Sequence, residues 1–338
     1  MTRPIVVHLV DDTTAGGVMR LLEHISQCSG MARSGQHQIR VVKRGGLAVR
    51  RIKADVIVSH LVISWRTLPA LLSLRALNAG TPMIHVEHSY TQGFTAHNVP
   101  NKKRFLNLLR IGYSVFDHLI AVSHAQARWM FRHRLADLGA LTVISPVVGM
   151  SGFAQLPAPA PQARTFGAIG RLHRQKGFDL LIQAFRKLPN PDLRLNIYGE
   201  GPERPALQAL ADGDARIRFL GHAKNPVAAM HAVDAVVMPS RWEAYGLVAI
   251  EARVAGRPVL VSGVDGLDDQ AQDGAIRVHV YAATGWANAM SELAEHGTPT
   301  IKRPDPRRCE QDYAARWADV LTRVMEPVTN VSLLPQAQ

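Results

Sequence analysis

Two short stretches of this 338-residue chain hold the residue types that do chemistry. The first is Gly170-Arg171-Leu172-His173-Arg174-Gln175-Lys176-Gly177. Arg171 and Lys176 bracket a loop between a strand-like run and a helical pattern. Two such cations suit a diphosphate, Arg as a planar fork of donors and Lys as a point charge. A solvated basic loop is the other reading of the same spacing. The second stretch runs from Pro239 to Ala252 and contains Glu243 and Glu251, eight positions apart. On one continuous helix that offset would splay the two carboxylates by about 80°. The spacing instead predicts Glu243 in a loop, Gly246 near a helix start and Glu251 about a turn into the helix. Free amides of Gly246, Leu247 and Val248 would then point at a phosphate. One carboxylate could hold the hydroxyls of a sugar and the other those of a ribose. The competing reading is a helix whose acids complement its dipole.

Other chemistry-bearing residues read as structural. Asp212-Gly213-Asp214 is a metal-type D-x-D spacing, but it links a helical run to a strand-like run and reads as a turn. Gly199-Glu200-Gly201 lacks the third glycine of a dinucleotide fingerprint. The 15 histidines are scattered, with no H-x3-H or C-x2-C pair to call for a metal. His85 ends a strand and reads as core packing, and Asp11-Asp12 reads as the start of a turn.

The elements that must position these residues alternate. Strand-like runs at Ile5–Val10, Asp55–Ser59, Met83–Glu87, Leu119–Val122 and Thr142–Ser145 are interleaved with helical patterns at Val18–Ser26 and Leu68–Asn78. The segment Met150–Gln162, with Pro157, Pro159 and Pro161, reads as an extended linker. A second alternating unit follows. Its strands are Phe166–Ile169, Arg194–Tyr198, Ile217–Leu220, Ala235–Met238 and Pro258–Ser262. Its helices are Gly177–Lys187, Glu203–Ala211, Asn225–Ala232 and Leu247–Val254. Glu310–Val324 reads as a last amphipathic helix, and the chain from Pro327 as a frayed tail. Strand–helix alternation with continuous apolar strands predicts parallel sheets covered on both faces, with ligands at the strands' carboxyl ends. The expected units are 1–152, 163–308 and a C-terminal helix and tail over 309–338.

Composition narrows the class. The chain is 47% hydrophobic and 20% charged, ordinary for a globular protein. No apolar run is long enough to span a membrane, and the opening segment is too short in apolar residues for a signal peptide. Two distant cysteines, Cys28 and Cys309, fit a reducing cytoplasm. The net charge is +12, and residues 1–160 hold 18 Lys and Arg against 7 Asp and Glu, a net of +11. That asymmetry points to an acidic partner such as anionic lipid, a phosphorylated substrate or nucleic acid. The stretch Asn101–Arg110 mixes cations with apolar residues and could lie on an anionic membrane surface.

Taken in order, these motifs resemble the family-4-like retaining glycosyltransferases of the GT-B fold, two Rossmann-like domains facing across a cleft. The resemblance rests on Gly170–Gly177, Tyr198-Gly199-Glu200-Gly201-Pro202, Phe219-Leu220-Gly221, the Glu243/Glu251 pair and Gly263-Val264-Asp265-Gly266-Leu267-Asp268-Asp269. Before residue 164 it is carried by Gly16-Gly17 at a helix opening, by His88 after a strand and by Asp117–Ser123. It implies that Arg171 and Lys176 bind the donor diphosphate, that Glu243 contacts the donor sugar and that Glu251 holds the ribose. Amides near Gly246, Leu247 and Val248 would hold phosphate. Gly16 and Gly17 would let the first loop approach the donor, and His88 would sit near the reacting centre. It further implies no metal and no cofactor, with the nucleotide-sugar as co-substrate and a glycan or lipid-linked acceptor, in surface polysaccharide synthesis. The sequence departs at Asp268-Asp269, where Pro-Glu is common, and at Ala275-Ile276-Arg277-Val278, where a threonine-glycine and an apolar strand are expected.

Two other classes compete. A nucleotide-sugar epimerase of the same fold would need an acid/base pair but no acceptor cleft. A nucleic-acid-binding protein would use the basic half, yet interleaved aromatics and a recognised motif are missing, so no nucleic acid is expected.

Overall fold

A computed structural model describes residues 3–326 except 15, 48 and 49. The expected tail from Pro327 lies outside the described residues. The chain forms two six-stranded parallel α/β sheets. The first contains β1 (Ile5–Val10), β2 (Gln36–Val41), β3 (Val56–Ser59), β4 (Met83–Glu87), β5 (His118–Ala121) and β6 (Leu141–Val143), in the order β2-β1-β3-β4-β5-β6. The second contains β7 (Thr165–Ile169), β8 (Arg194–Tyr198), β9 (Ile217–Gly221), β10 (Ala235–Met238), β11 (Val259–Ser262) and β12 (Ile276–Val278), in the order β12-β11-β10-β7-β8-β9. Central strands such as β3, β5, β10 and β11 are buried at every position. That is why they read as unbroken apolar runs rather than alternating ones.

Each sheet reverses direction once, between β1 and β3 in the first and between β7 and β10 in the second. At such a reversal the loops leaving the two central strands part, and a crevice opens at their carboxyl ends. In the second sheet those loops are Gly170–Gly177 and Pro239–Gly246. The topology therefore brings the two motifs together.

Several elements differ from the sequence reading. β2 was not expected, because Gln36–Val41 is polar and mostly exposed as an edge strand. The supposed linker contains a helical turn, Ser151–Ala154, held by buried Met150 and Phe153. The Gly263–Asp269 segment is not a turn throughout. A helix starts at Asp265 and runs to Gln272. Ile276–Val278, where the sequence departs from the family's apolar strand, is a strand all the same, paired parallel with β11.

The last helix, Pro306–Met325, packs back on the first half of the chain. A Cβ on Gly30 would lie 2.9 Å from that of Ala314, and Trp317 meets the His8 ring edge-on at 5.9 Å. One continuous apolar core joins Val6 and Leu22 of the first half, Met238 and Ile250 of the second, and Tyr313 and Trp317 of this helix.

Candidate functional site

The donor-side motifs are stitched together by backbone and side chain. After β7, a single 3-10 turn at Arg174–Lys176 ends at Gly177, whose φ is 67°. A Cβ there would fall 2.1 Å from the Pro239 carbonyl oxygen, so only glycine lets the two loops meet. The Arg241 amide donates to the Gln175 carbonyl at 2.7 Å, and Gln175 Nε2 donates to the Trp242 carbonyl at 3.1 Å. Arg241 forks onto Asp179 at 2.9 and 2.6 Å, which raises the guanidinium pKa and braces the loop. Within this frame the Lys176 ammonium donates to Glu243 Oε2, with Ser240 Oγ at 3.4 Å from the same oxygen. Arg171 is exposed, beside them on the same loop.

Glu243 precedes the helix Leu247–Val254, whose N-cap is Gly246 at φ 91°. That helix has no acid in its first turn, so dipole complementation does not account for the pair of glutamates. The amides of Leu247 and Val248 head the helix, where no intrahelical acceptor exists for them. Glu251 lies in the second turn and is buried. Arg20 of the first-half helix Gly17–Gln27 reaches it, with Nη2 2.6 Å from Oε1. Burial raises the Glu251 pKa and Arg20 opposes that shift.

The first half closes over this surface. A Cβ on Gly17 would stand 3.1 Å from Leu247 Cδ1, which places the Gly16–Gly17 helix opening against the donor-side helix. His88 follows β4, three residues before Thr91. Its Nε2 is 2.8 Å from His60 Nδ1, and burial lowers its pKa to about 4. Thr91 Oγ1 donates to Asp265 Oδ2 at 2.7 Å, and the Gly93 amide donates to Oδ1 at 3.0 Å. Asp265 stands at φ 46°, beside the Glu243 amide, and burial raises its pKa. Trp242 stacks on His97 at 5.6 Å, completing this contact between the halves.

Sequence reasoning missed Arg20, Asp265 and Trp242, because each takes its place from a partner in the other half. The two departures it singled out are structural here. Asp268 pairs with Arg277 of β12. Asp269 accepts from the Ala125 amide at 3.2 Å and lies 3.3 Å from Arg128. In the D-x-D segment, Asp212 is a left-handed helix cap paired with Arg186, and Asp214 is held by Arg216. Among the described residues no group of three or more His, Cys, Asp or Glu could hold a metal ion. His85 packs on Phe116 at 4.9 Å and is buried, as expected of a core residue.

Two parallel six-stranded sheets, each with one switch point, define the GT-B fold. The model for Glycosyltransferase Family 4 matches residues 5–149, and that for Glycosyl transferases group 1 matches residues 163–296. Together they account for most of the chain, which belongs to the family-4-like glycosyltransferases. The chain is 28% identical to a D-inositol 3-phosphate glycosyltransferase of Corynebacterium aurimucosum, over 80% of this chain and 70% of that protein. It is 31% identical to the protein of that name from Mycobacterium sp. strain JLS, over 55% of this chain and 47% of that one. In the mycobacterial case the match thus spans about half of the relative's length. Among solved structures, Anabaena Alr3699/HepE in complex with UDP and glucose aligns over 95% of both chains, with a TM-score of 0.66 and 15% identity.

Proposed function

We propose that this chain transfers a sugar from a nucleoside-diphosphate sugar to an acceptor hydroxyl with retention of anomeric configuration. The observation that carries the reading is the junction at the β7/β10 switch point. There Lys176, Glu243 and the amides that open the helix after Gly246 converge on one crevice. UDP and UDP-glucose in the Anabaena protein support a uridine nucleotide as the donor's leaving half. Residues 163–308 are then the donor unit and 1–152 the acceptor unit.

The roles are those that the family resemblance implies, and the geometry suits them. Arg171, Lys176 and the Leu247 and Val248 amides offset charge on the departing diphosphate, so no metal is required. Lys176 rests on Glu243 while the site is free and exchanges that carboxylate for phosphate, which releases Glu243 to the donor sugar. Glu251 holds the ribose once Arg20 gives way. His88 stands near the reacting carbon. The acceptor oxygen attacks from the face the diphosphate leaves, the C1–O bond to phosphate breaks, and the leaving phosphate takes the acceptor proton.

The acceptor is a glycan or lipid-linked saccharide in surface polysaccharide synthesis at the cytoplasmic face of a membrane. No described helix is long and apolar enough to cross a membrane. The basic first half suits a surface association. The names of the relatives favour a second acceptor, a phosphorylated polyol, which the same basic half would attract. They also favour transfer over epimerisation.

A thermal-shift screen with UDP-, GDP- and ADP-sugars tests the donor. The UDP-sugar should raise the melting point, because it binds only the folded state. NMR of the product made with EDTA present should then show the donor's own anomeric configuration. An inverted product, or activity restored only by Mn²⁺, would sink the mechanism.

A further inference from the structure

Four histidines form a row across the first sheet. His37 lies in β2, His8 in β1, His60 directly after β3 and His88 directly after β4. The register explains their alignment. Val6 pairs with His37, His8 with Val58, and Ser59 with His85. Each histidine is thus two residues nearer the carboxyl edge than the position level with its predecessor. A step of two keeps all four side chains on one face. Their ring centroids are 5.2, 5.3 and 5.1 Å apart, close to the roughly 4.8 Å between neighbouring strands. The imidazoles bond edge to edge. His37 Nδ1 is 2.9 Å from His8 Nε2, His8 Nδ1 is 3.0 Å from His60 Nε2, and His60 Nδ1 is 2.8 Å from His88 Nε2.

Such a row has a direction. A neutral imidazole carries one N–H and one lone pair, so every ring must point its proton the same way. At the outer end His37 Nε2 has no hydrogen-bond partner among the described residues. The row therefore has two senses, with all four protons on Nε2 or all four on Nδ1. In both, His88 Nε2 is tied to His60, and His88 Nδ1 is the nitrogen that enters no bond of the row.

We propose that His37, His8 and His60 are positioning residues that hold His88 in a single neutral tautomer, so that Nδ1 meets a hydroxyl of the donor sugar in one fixed hydrogen-bonding role. The proposal rests on His88 standing near the reacting carbon. Neutral rings are what the row requires. Burial pushes His37 and His88 down to about 4, and His8 and His60 well below the ordinary histidine value. The groups that face the inner end leave this unchanged. Glu87 beside His88 is engaged by the Ser89 and Tyr90 amides at 2.7 and 2.9 Å and by the Tyr113 hydroxyl at 2.7 Å. Its charge raises the His88 pKa less than burial lowers it, and His85 acts with the burial. The His8 ring is covered by the edge of Trp317.

The test uses His8, which lies two rings from the cleft. His8→Phe keeps the bulk and ends the row. His8→Gln keeps the row, since one end of the amide accepts and the other donates, which bridges His60 and His37 in either sense. His8→Phe should lower kcat/KM for the donor sugar about tenfold, the weight of one hydrogen bond, and leave the Kd for free UDP unchanged. His8→Gln should restore kcat/KM. Long-range ¹H–¹⁵N NMR of the wild-type protein at pH 7.5 should show the same neutral tautomer in all four rings, and this measurement decides the matter if His8→Phe does not fold. Wild-type kcat/KM in His8→Phe, equal losses in the two variants, or mixed tautomers among the four rings would each overturn the proposal. His88→Ala separates the two ideas. Wild-type transfer by that variant would remove His88 from the reacting centre, whatever the row does.

Discussion

At the scale of single residues, Glu243 and Glu251 belong to one segment but have different surroundings. Lys176 and Ser240 face Glu243 at the mouth of the crevice, whereas Glu251 is buried against Arg20. A hydrogen bond made by a charged group is worth about 1.5–3 kcal/mol, a factor of roughly 10–150 in affinity. Glu251→Gln is expected to weaken free UDP and UDP-sugar alike by that order. Glu243→Gln should spare free UDP and lower turnover. Calorimetry of both variants with nucleotide and with donor, followed by kinetics, checks the assignment, and the reverse pattern would exchange the two roles. The helix start at Gly246 was legible because only local spacing decides it. Arg20 and Asp265 were not legible. Asp265 meets Thr91, 174 positions away in the chain, and nothing in either local stretch marks that pairing.

At the scale of elements, strand–helix alternation was readable wherever a strand was buried on both sides. β2 escaped because an edge strand needs apolar residues on neither outward flank. The helix Asp265–Gln272 escaped because Gly263 and Gly266 read as turn residues, while in the structure Gly266 lets the helix lie against the Ala244 carbonyl. The sheet also carries a pH dependence. His8, His37, His60 and His88 lie on four neighbouring strands or at their ends, and burial depresses all four pKa values. Their folded values lie below the unfolded value of about 6.5, so unfolding takes up protons at acid pH. The stability they contribute is complete above about pH 6.5 and is lost as the pH falls toward about 4. Glu251 and Asp265, whose pKa values burial raises, act in the opposite sense, while His24, His118 and His173, whose pKa values burial also lowers, add to the four. The melting temperature should therefore fall steadily between pH 7 and pH 4.5. A flat profile over that range would mean that the buried histidines are already charged in the folded protein.

At the scale of the whole molecule, the two halves differ in charge far more than in architecture. Residues 1–160 hold nearly all of the excess, a net of +11. Part of it is concentrated on the helix Lys102–Tyr113, where Lys102, Lys103 and Arg104 are exposed at the start and Ile111 is 45% exposed further along. Arg104 lies over the ring of Trp65 at 5.6 Å, and Trp65 is itself 44% exposed. Cations beside an exposed indole match an anionic bilayer surface, where each Lys or Arg contributes about 1 kcal/mol and the ring can enter the headgroup layer. The protein should sediment with phosphatidylglycerol vesicles and not with phosphatidylcholine vesicles. Binding should fade as salt rises, because charges farther apart than the Debye length, about 8 Å at physiological ionic strength, are screened. A Lys102→Glu, Lys103→Glu pair should weaken it without moving the melting temperature, since both side chains are exposed and enter no ion pair among the described residues. Equal binding to neutral and anionic vesicles, or none to either, would remove the membrane from this reading and leave the basic half to a phosphorylated acceptor.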